Sequence, residues 1–195
     1  MRLPRIAVSL SFTVATAASA QSMAGERSLP AFSANAITIT ARTAPLRSRV
    51  YFSGKRVRSE TDAGGSRSAT LMDLESKRMW LLMPGAMGCL EQPVPDDPRN
   101  PLLRLPNRRE TAIGAETLGG HVCDKYRVET RNGDRLSVLY EWRARDLGGL
   151  TIRTRSEDGN FEMRFENIKR GRPDRKLFET PKDCRPAPGS FGFGN

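Results

Sequence analysis

Residues 136–142 read Leu136, Ser137, Val138, Leu139, Tyr140, Glu141, Trp142, and this stretch decides the fold. Leu136, Val138, Tyr140 and Trp142 fall on one side of a period-2 strand. Ser137 and Glu141 fall on the other, with Leu139 the single exception. The neighbouring stretches repeat the pattern. In residues 121–130, Val122, Tyr126 and Val128 alternate with His121, Lys125, Arg127 and Glu129. In 150–157, Leu150 and Ile152 stand against Arg153, Arg155 and Glu157. In 161–168, Phe161, Met163 and Phe165 stand against Glu162, Arg164 and Glu166. The links Asn132-Gly133-Asp134, Asp146-Leu147-Gly148-Gly149 and Asp158-Gly159-Asn160 are tight-turn chemistry. An antiparallel meander follows, with one aromatic-rich apolar face and one charged face. Trp142 is expected inside and Arg143, one residue on, outside.

Further strands are expected upstream. Residues 36–42 alternate Ile37, Ile39 and Ala41 with Thr38 and Thr40. Residues 48–53 and 56–61 make a hairpin at Gly54-Lys55, with Val50 and Phe52 sharing a face. A second hairpin joins 68–74 to 78–83, and a short strand covers 88–92. Residues 93–107 break the pattern with five prolines and the cluster Leu102, Leu103 and Leu105, which reads as a loop or lid with an apolar tip. Residues 111–118 resume a strand, which turns at Gly119-Gly120 into the meander. Leu177 and Phe178 are expected to dock the tail on the sheet. The fold class is mainly β, about eleven short strands with little helix. A sheet of that size curls or splits, so a single strongly curved antiparallel sheet, a half-barrel, is expected, with a two-sheet sandwich as the alternative.

The N-terminus carries targeting chemistry. Arg2 and Arg5 precede a short apolar run, and Ala18-Ser19-Ala20 is a small-residue cleavage site, so residues 1–20 read as a cleaved signal peptide. That implies export to the periplasm. The run is too short to span a bilayer, and no later segment is apolar enough to do so. Residues 21–35 read as a flexible lead-in, 36–184 as one β domain and 185–195 as a disordered tail. The net charge of +10 is interleaved with carboxylates on strand faces. An anionic envelope surface is therefore a candidate partner, and nucleic acid is not expected.

An oxidising compartment allows one disulfide among Cys89, Cys123 and Cys184. Strand parity places Cys123 at the rim from which the tail departs, which favours Cys123–Cys184. His121 is the only histidine, so multi-histidine metal sites are excluded. A Cys123–His121 nucleophile pair is the weakest functional reading. No nucleotide, calcium or serine-hydrolase motif occurs, and no catalytic residue, metal or cofactor is assigned. The candidate site is instead an apolar concave face formed by Met79, Trp80, Leu81, Met83, Tyr126, Tyr140, Trp142, Phe161, Met163 and Phe165.

Several segments carry a family resemblance. They are 50–58 (Val-Tyr-Phe-Ser-Gly-Lys-Arg-Val-Arg), 79–84 (Met-Trp-Leu-Leu-Met-Pro), the run from Ile113 to Tyr126 that includes Gly114, Glu116, Thr117, Gly119, Cys123 and Lys125, and 177–181 (Leu-Phe-Glu-Thr-Pro). Over residues 36–182 the sequence resembles the LolA/LolB-like proteins, and in particular their exported branch with a domain of unassigned function. The resemblance implies an unclosed antiparallel half-barrel with an apolar concave face. It also implies a ligand class, because characterised members carry lipoproteins by holding acyl chains there. Two features depart from the family: its long N-terminal helix has no counterpart in residues 21–35, and its helical lid is reduced to 93–107.

Two readings remain. One is an exported, non-enzymatic protein that binds an acyl chain, lipid or lipoprotein-like apolar ligand. The other is an envelope interaction or structural module with a self-filled core and a basic outer face.

Overall fold

Two short turns show how the sequence punctuates the chain. Gly54, at φ 63°, turns the chain between the strands Thr43–Gly54 and Arg56–Ala63 in a left-handed conformation that side chains resist. Gly119 and Gly120, at 56° and 84°, do the same between the strands Arg108–Leu118 and His121–Asn132. The computed structural model describes residues 29–85, 88–95, 97, 99–100, 107–132 and 134–187. Its strands are β1 (Leu29–Thr40), β2 (Thr43–Gly54), β3 (Arg56–Ala63), β4 (Ser66–Asp73), β5 (Arg78–Leu82) and β6 (Cys89–Pro93). They continue as β7 (Arg108–Leu118), β8 (His121–Asn132), β9 (Arg135–Ala144), β10 (Leu150–Ser156), β11 (Phe161–Arg170) and β12 (Arg185–Pro186). Two 3-10 turns, Arg145–Leu147 and Arg175–Phe178, lie among the described residues as well.

All twelve strands form one open, curled sheet in the order β12-β6-β5-β4-β3-β2-β1-β11-β10-β9-β8-β7. Two antiparallel meanders, β1–β6 and β7–β11, meet where β1 pairs with β11. The single sheet expected from the sequence is what forms. The eleven expected strands all have counterparts, and the twelfth is the two-residue β12, parallel to β6. The expected flexible lead-in is partly strand, since β1 begins at Leu29. Likewise β12 lies at the start of the expected disordered tail. The signal peptide at 1–20, residues 21–28 and residues 188–195 lie outside the described residues. Among the described residues, no helix is long and apolar enough to cross a membrane.

The register divides the sheet into two faces. One row crosses Phe32, Phe52, Val57, Met72, Met79 and Gln92 on β1 to β6. The adjacent row crosses Ser33, Tyr51, Arg58, Leu71, Trp80 and Glu91 on the opposite face. We call these the phenylalanine face and the arginine face. In the other meander, Met163, Thr154, Glu141 and Tyr126 follow one another on the phenylalanine face. Arg164, Arg153, Trp142 and Lys125 follow one another on the arginine face.

Strand pairing divides the residues expected on one aromatic face between two rows. Met79, Leu81, Tyr126, Phe161, Met163 and Phe165 lie on the phenylalanine face, whereas Trp80, Tyr140 and Trp142 lie on the arginine face. Met83 sits just past β5, its amide bonded to the Gly88 carbonyl at 2.7 Å. The cause is hairpin register. Asn132 pairs with Arg135, which sets Lys125 rather than Tyr126 opposite Trp142. A one-residue slip moves a whole strand's side chains to the other face. The sheet tolerates this because it buries apolar groups on both sides. The larger cluster joins Phe32, Val50, Phe52, Val57 and Ile152 to Cys123, Ala144 and Trp142, which is buried as expected, with Tyr140 and Phe165 packed against it. The smaller joins Leu71 and Trp80 to Phe178 of the tail.

The disulfide also differs from expectation: Cys89 pairs with Cys184, and Cys123 is a buried free thiol. Strand parity brought the tail to the Cys123 rim but could not follow it afterwards. After β11 the tail runs over the arginine face, where Arg56 Nη1 donates to the Phe178 carbonyl at 2.9 Å. It then reaches β6, where Arg185 pairs beside Leu90.

Candidate ligand-binding site

The connection from β6 to β7 defines the site. Those strands sit ten steps apart in the sheet, about 48 Å if it were flat at about 4.8 Å per strand. The fourteen residues 94–107 span that distance only when fully extended, at about 3.5 Å each. The described residues at its start turn back on themselves. Asp97 N donates to the Pro95 carbonyl at 2.9 Å and Asn100 N to the Asp97 carbonyl at 3.0 Å. The sheet has to curl to bring its edges within reach.

The described start of the connection meets the sheet at two points. Val94 is buried and its amide bonds to the Lys77 carbonyl at 3.0 Å. Farther along, the Arg99 guanidinium lies 5.7 Å from the Phe161 ring centroid. Asp97 holds that guanidinium in a two-pronged pair at 3.0 and 2.9 Å, a geometry that fixes its plane. The expected lid residues Leu102, Leu103 and Leu105 lie outside the described residues.

The phenylalanine face has an apolar half and a charged half. In the apolar half Phe32 and Phe52 stack at 4.1 Å, and Phe165 meets both edge-on at 6.2 and 5.6 Å. Such pairs gain roughly 0.5–1.5 kcal/mol beyond area burial. In the charged half Glu141 is fully buried. It accepts from Arg108 at 2.7 Å, from Arg143 at 2.8 Å and from the Thr151 hydroxyl at 3.4 Å. Glu110 closes the ring with two bonds from Arg143, at 2.7 and 2.8 Å. The Arg143 hydrogen bonds, with help from Arg108, hold the Glu110 carboxyl down at about 2 against burial. Burial alone would lower Arg143, but Glu110 and Glu141 hold it above its usual range. Arg143 also stacks on Tyr126 at 4.2 Å. The expectation that Arg143 faces solvent is overturned, because the register that takes Trp142 to one face takes Arg143 to the other.

The remaining expected residues have other surroundings. Trp142 lies between Lys125 and Arg153, each 4.8 Å from its ring, and donates to Glu116 at 2.8 Å. Trp80 donates to Glu91 at 3.1 Å. The Cys123 thiol donates to the His121 carbonyl rather than its ring, and burial pushes its pKa up. The His121 ring is bonded to Asp146 at 2.9 Å. Neither group is arranged as a nucleophile and its base.

Sequence reasoning missed Phe32 because it falls in the expected lead-in. The alternation of Phe32, Ala34 and Ala36 with Ser33 and Asn35 is the signal that could have found it.

No family model matches the chain, and no curated protein matches it. Solved structures do. A conserved protein from Thermus thermophilus, described as uncharacterized, aligns with 80% of this chain and 89% of its own at 16% identity, with a TM-score of 0.54. MucB, solved in the Pseudomonas aeruginosa MucA/MucB complex, aligns with 80% of this chain at 14% identity and a TM-score of 0.42. The matched region is 57% of the MucB chain. A LolA superfamily protein from Nitrosomonas europaea aligns with 78% of this chain and 91% of its own at 11% identity and a TM-score of 0.41. What the chain has in common with the Thermus protein is the fold.

Proposed function

We propose that this is an exported, non-enzymatic carrier-type protein. It holds an acyl chain, or the apolar part of a lipid or lipoprotein, between the phenylalanine face and the segment 94–107. The observation that carries this reading is Arg99, held by Asp97, lying over Phe161 on the connection that joins the two edges of the sheet. Phe161, Met163 and Phe165 are only partly buried, which leaves apolar surface on that face for a ligand. Export agrees with the Cys89–Cys184 disulfide, which suits an oxidising compartment. The sequence resemblance to the LolA/LolB-like proteins over residues 36–182 implies the same ligand class.

A second reading has its own support. Phe32 and Phe52 fill the centre of the face with each other, as a self-filled core would. The protein would then be an envelope interaction module. Native mass spectrometry of protein purified from the periplasm separates the two. The carrier reading expects a co-purifying adduct of lipid mass. A clean apo mass in every preparation favours the module.

A further inference from the structure

A groove of about 700 Å³ opens across β1 to β5, within the size range of small-ligand pockets. It lies on the arginine face. Arg58 lines it, while Val57 and Ser59, its neighbours on the other face, do not. Ala36, its one phenylalanine-face contact on β1, is buried. Its rim carries Arg47 and Arg49, two residues apart on β2. That spacing leaves them roughly 7 Å apart on one side of the strand. Both are exposed, and among the described residues neither has a carboxylate in ion-pair range. Arg49 is steadied instead by the Tyr51 ring, 5.7 Å from its guanidinium. Arg58 and Arg67, by contrast, are matched to Glu60 at 2.8 Å and Asp62 at 3.5 Å. The far side of the groove is apolar, with Ala69, Leu82, Met83 and Pro84.

We propose that this groove binds a single phosphate head carried on an apolar body. Arg47 and Arg49 take the phosphate, for which paired guanidiniums are suited in charge and shape. Ala69, Leu82 and Met83 receive the first carbons of the body. Glu60 and Asp62, set among the arginines, repel an extended polyanion and restrict the site to one anionic group. The site is separate from the phenylalanine face and does not depend on what that face holds.

Titration calorimetry of the purified protein with monomeric dihexanoyl phosphatidylglycerol tests it, with dihexanoyl phosphatidylcholine and glycerol phosphate as comparison arms. Phosphatidylglycerol is expected to bind about tenfold more tightly than either, and the Arg47→Ala/Arg49→Ala variant to lose about tenfold. Both side chains are exposed, so an unchanged melting curve verifies folding, and fatty-acid binding under segment 94–107 should be unaltered. Equal binding of phosphatidylcholine, or parental affinity in the double variant, overturns the proposal. Glycerol phosphate binding as tightly as the amphiphile overturns the apolar half and identifies a free-phosphate site. Binding of phosphatidylglycerol by a protein that takes no fatty acid upholds the groove and counts against the carrier reading alone.

Discussion

Phe32 of β1 and Phe52 of β2 stack with ring centroids 4.1 Å apart and planes within 13° of parallel, at 0% and 1% exposure. They sit at the centre of the sheet, next to the β1–β11 pairing that joins its two halves. Phe52→Ala is expected to cost about 3–5 kcal/mol, because the stacked neighbours cannot collapse into the space. Leu46→Ala on the same strand, at a half-exposed site, should stay within about 0.5 kcal/mol. Denaturant melts of both variants measure the difference, and equal losses would mean that the buried and exposed sites along β2 are misassigned.

Arg143 is a structural cation. Removing it leaves Glu141 buried with Arg108 as its one remaining cationic partner among the described residues. Arg143→Ala should destabilise by about 3–5 kcal/mol, the usual cost of breaking a buried pair from one side. Replacing Arg143 and Glu141 together by leucine should recover much of that loss, since well-packed apolar groups often match a buried pair. A double variant no more stable than Arg143→Ala would show that the pair is not the cause.

Glu110 gives the fold an acid limit. Its pKa falls from 4.5 unfolded to about 2 folded, mainly through the Arg143 hydrogen bonds. A depressed folded pKa gives stability that is fully present above the unfolded value and lost as pH falls through the folded one. The contribution should therefore fade between about pH 4.5 and 2. Glu110→Gln should flatten the stability profile in that window and leave its shape near neutrality unchanged. Melts across acid pH report this, and a parallel loss in both proteins would place the acid sensitivity elsewhere.

The tail depends on its staple. Cys89–Cys184 closes a loop of 95 residues in sequence, worth about 4–5 kcal/mol on the chain-entropy model. Cys184→Ser should lose most of that and free Phe178 from Leu71 and Trp80, whereas Cys123→Ala should retain the crosslink. Non-reducing peptide mapping should recover the Cys89–Cys184 pair. A crosslink containing Cys123 would contradict the fold of the tail.

The sequence makes the strands legible and leaves their registration obscure. Alternation inside 136–142 and 161–168 is a local property, so every expected strand is present. Whether Trp142 faces Tyr126 or Lys125 depends on one residue in a hairpin, and both faces offer burial, so no apolar pattern decides it. The same limit hides the site. Phe32 and Phe52 lie about twenty positions apart in the chain, and only pairing brings them together. The disulfide depends on a tail path of some fourteen residues across the arginine face, a route that no strand periodicity records. The Arg143–Glu141–Arg108 network escapes sequence reading because alternating charges read as a solvated face, whereas Glu141 is fully buried and its arginines largely so.

The central claim is that an apolar chain lies on the phenylalanine face beneath residues 94–107. Photolabelling with a diazirine fatty acid, followed by residue-level mass spectrometry, tests it most directly. Labels are expected at Met163 or Phe165 and within 94–107, reduced by competing unlabelled fatty acid. Labels confined to Tyr140, Trp142 or other arginine-face residues, or no competable label at all, would contradict it.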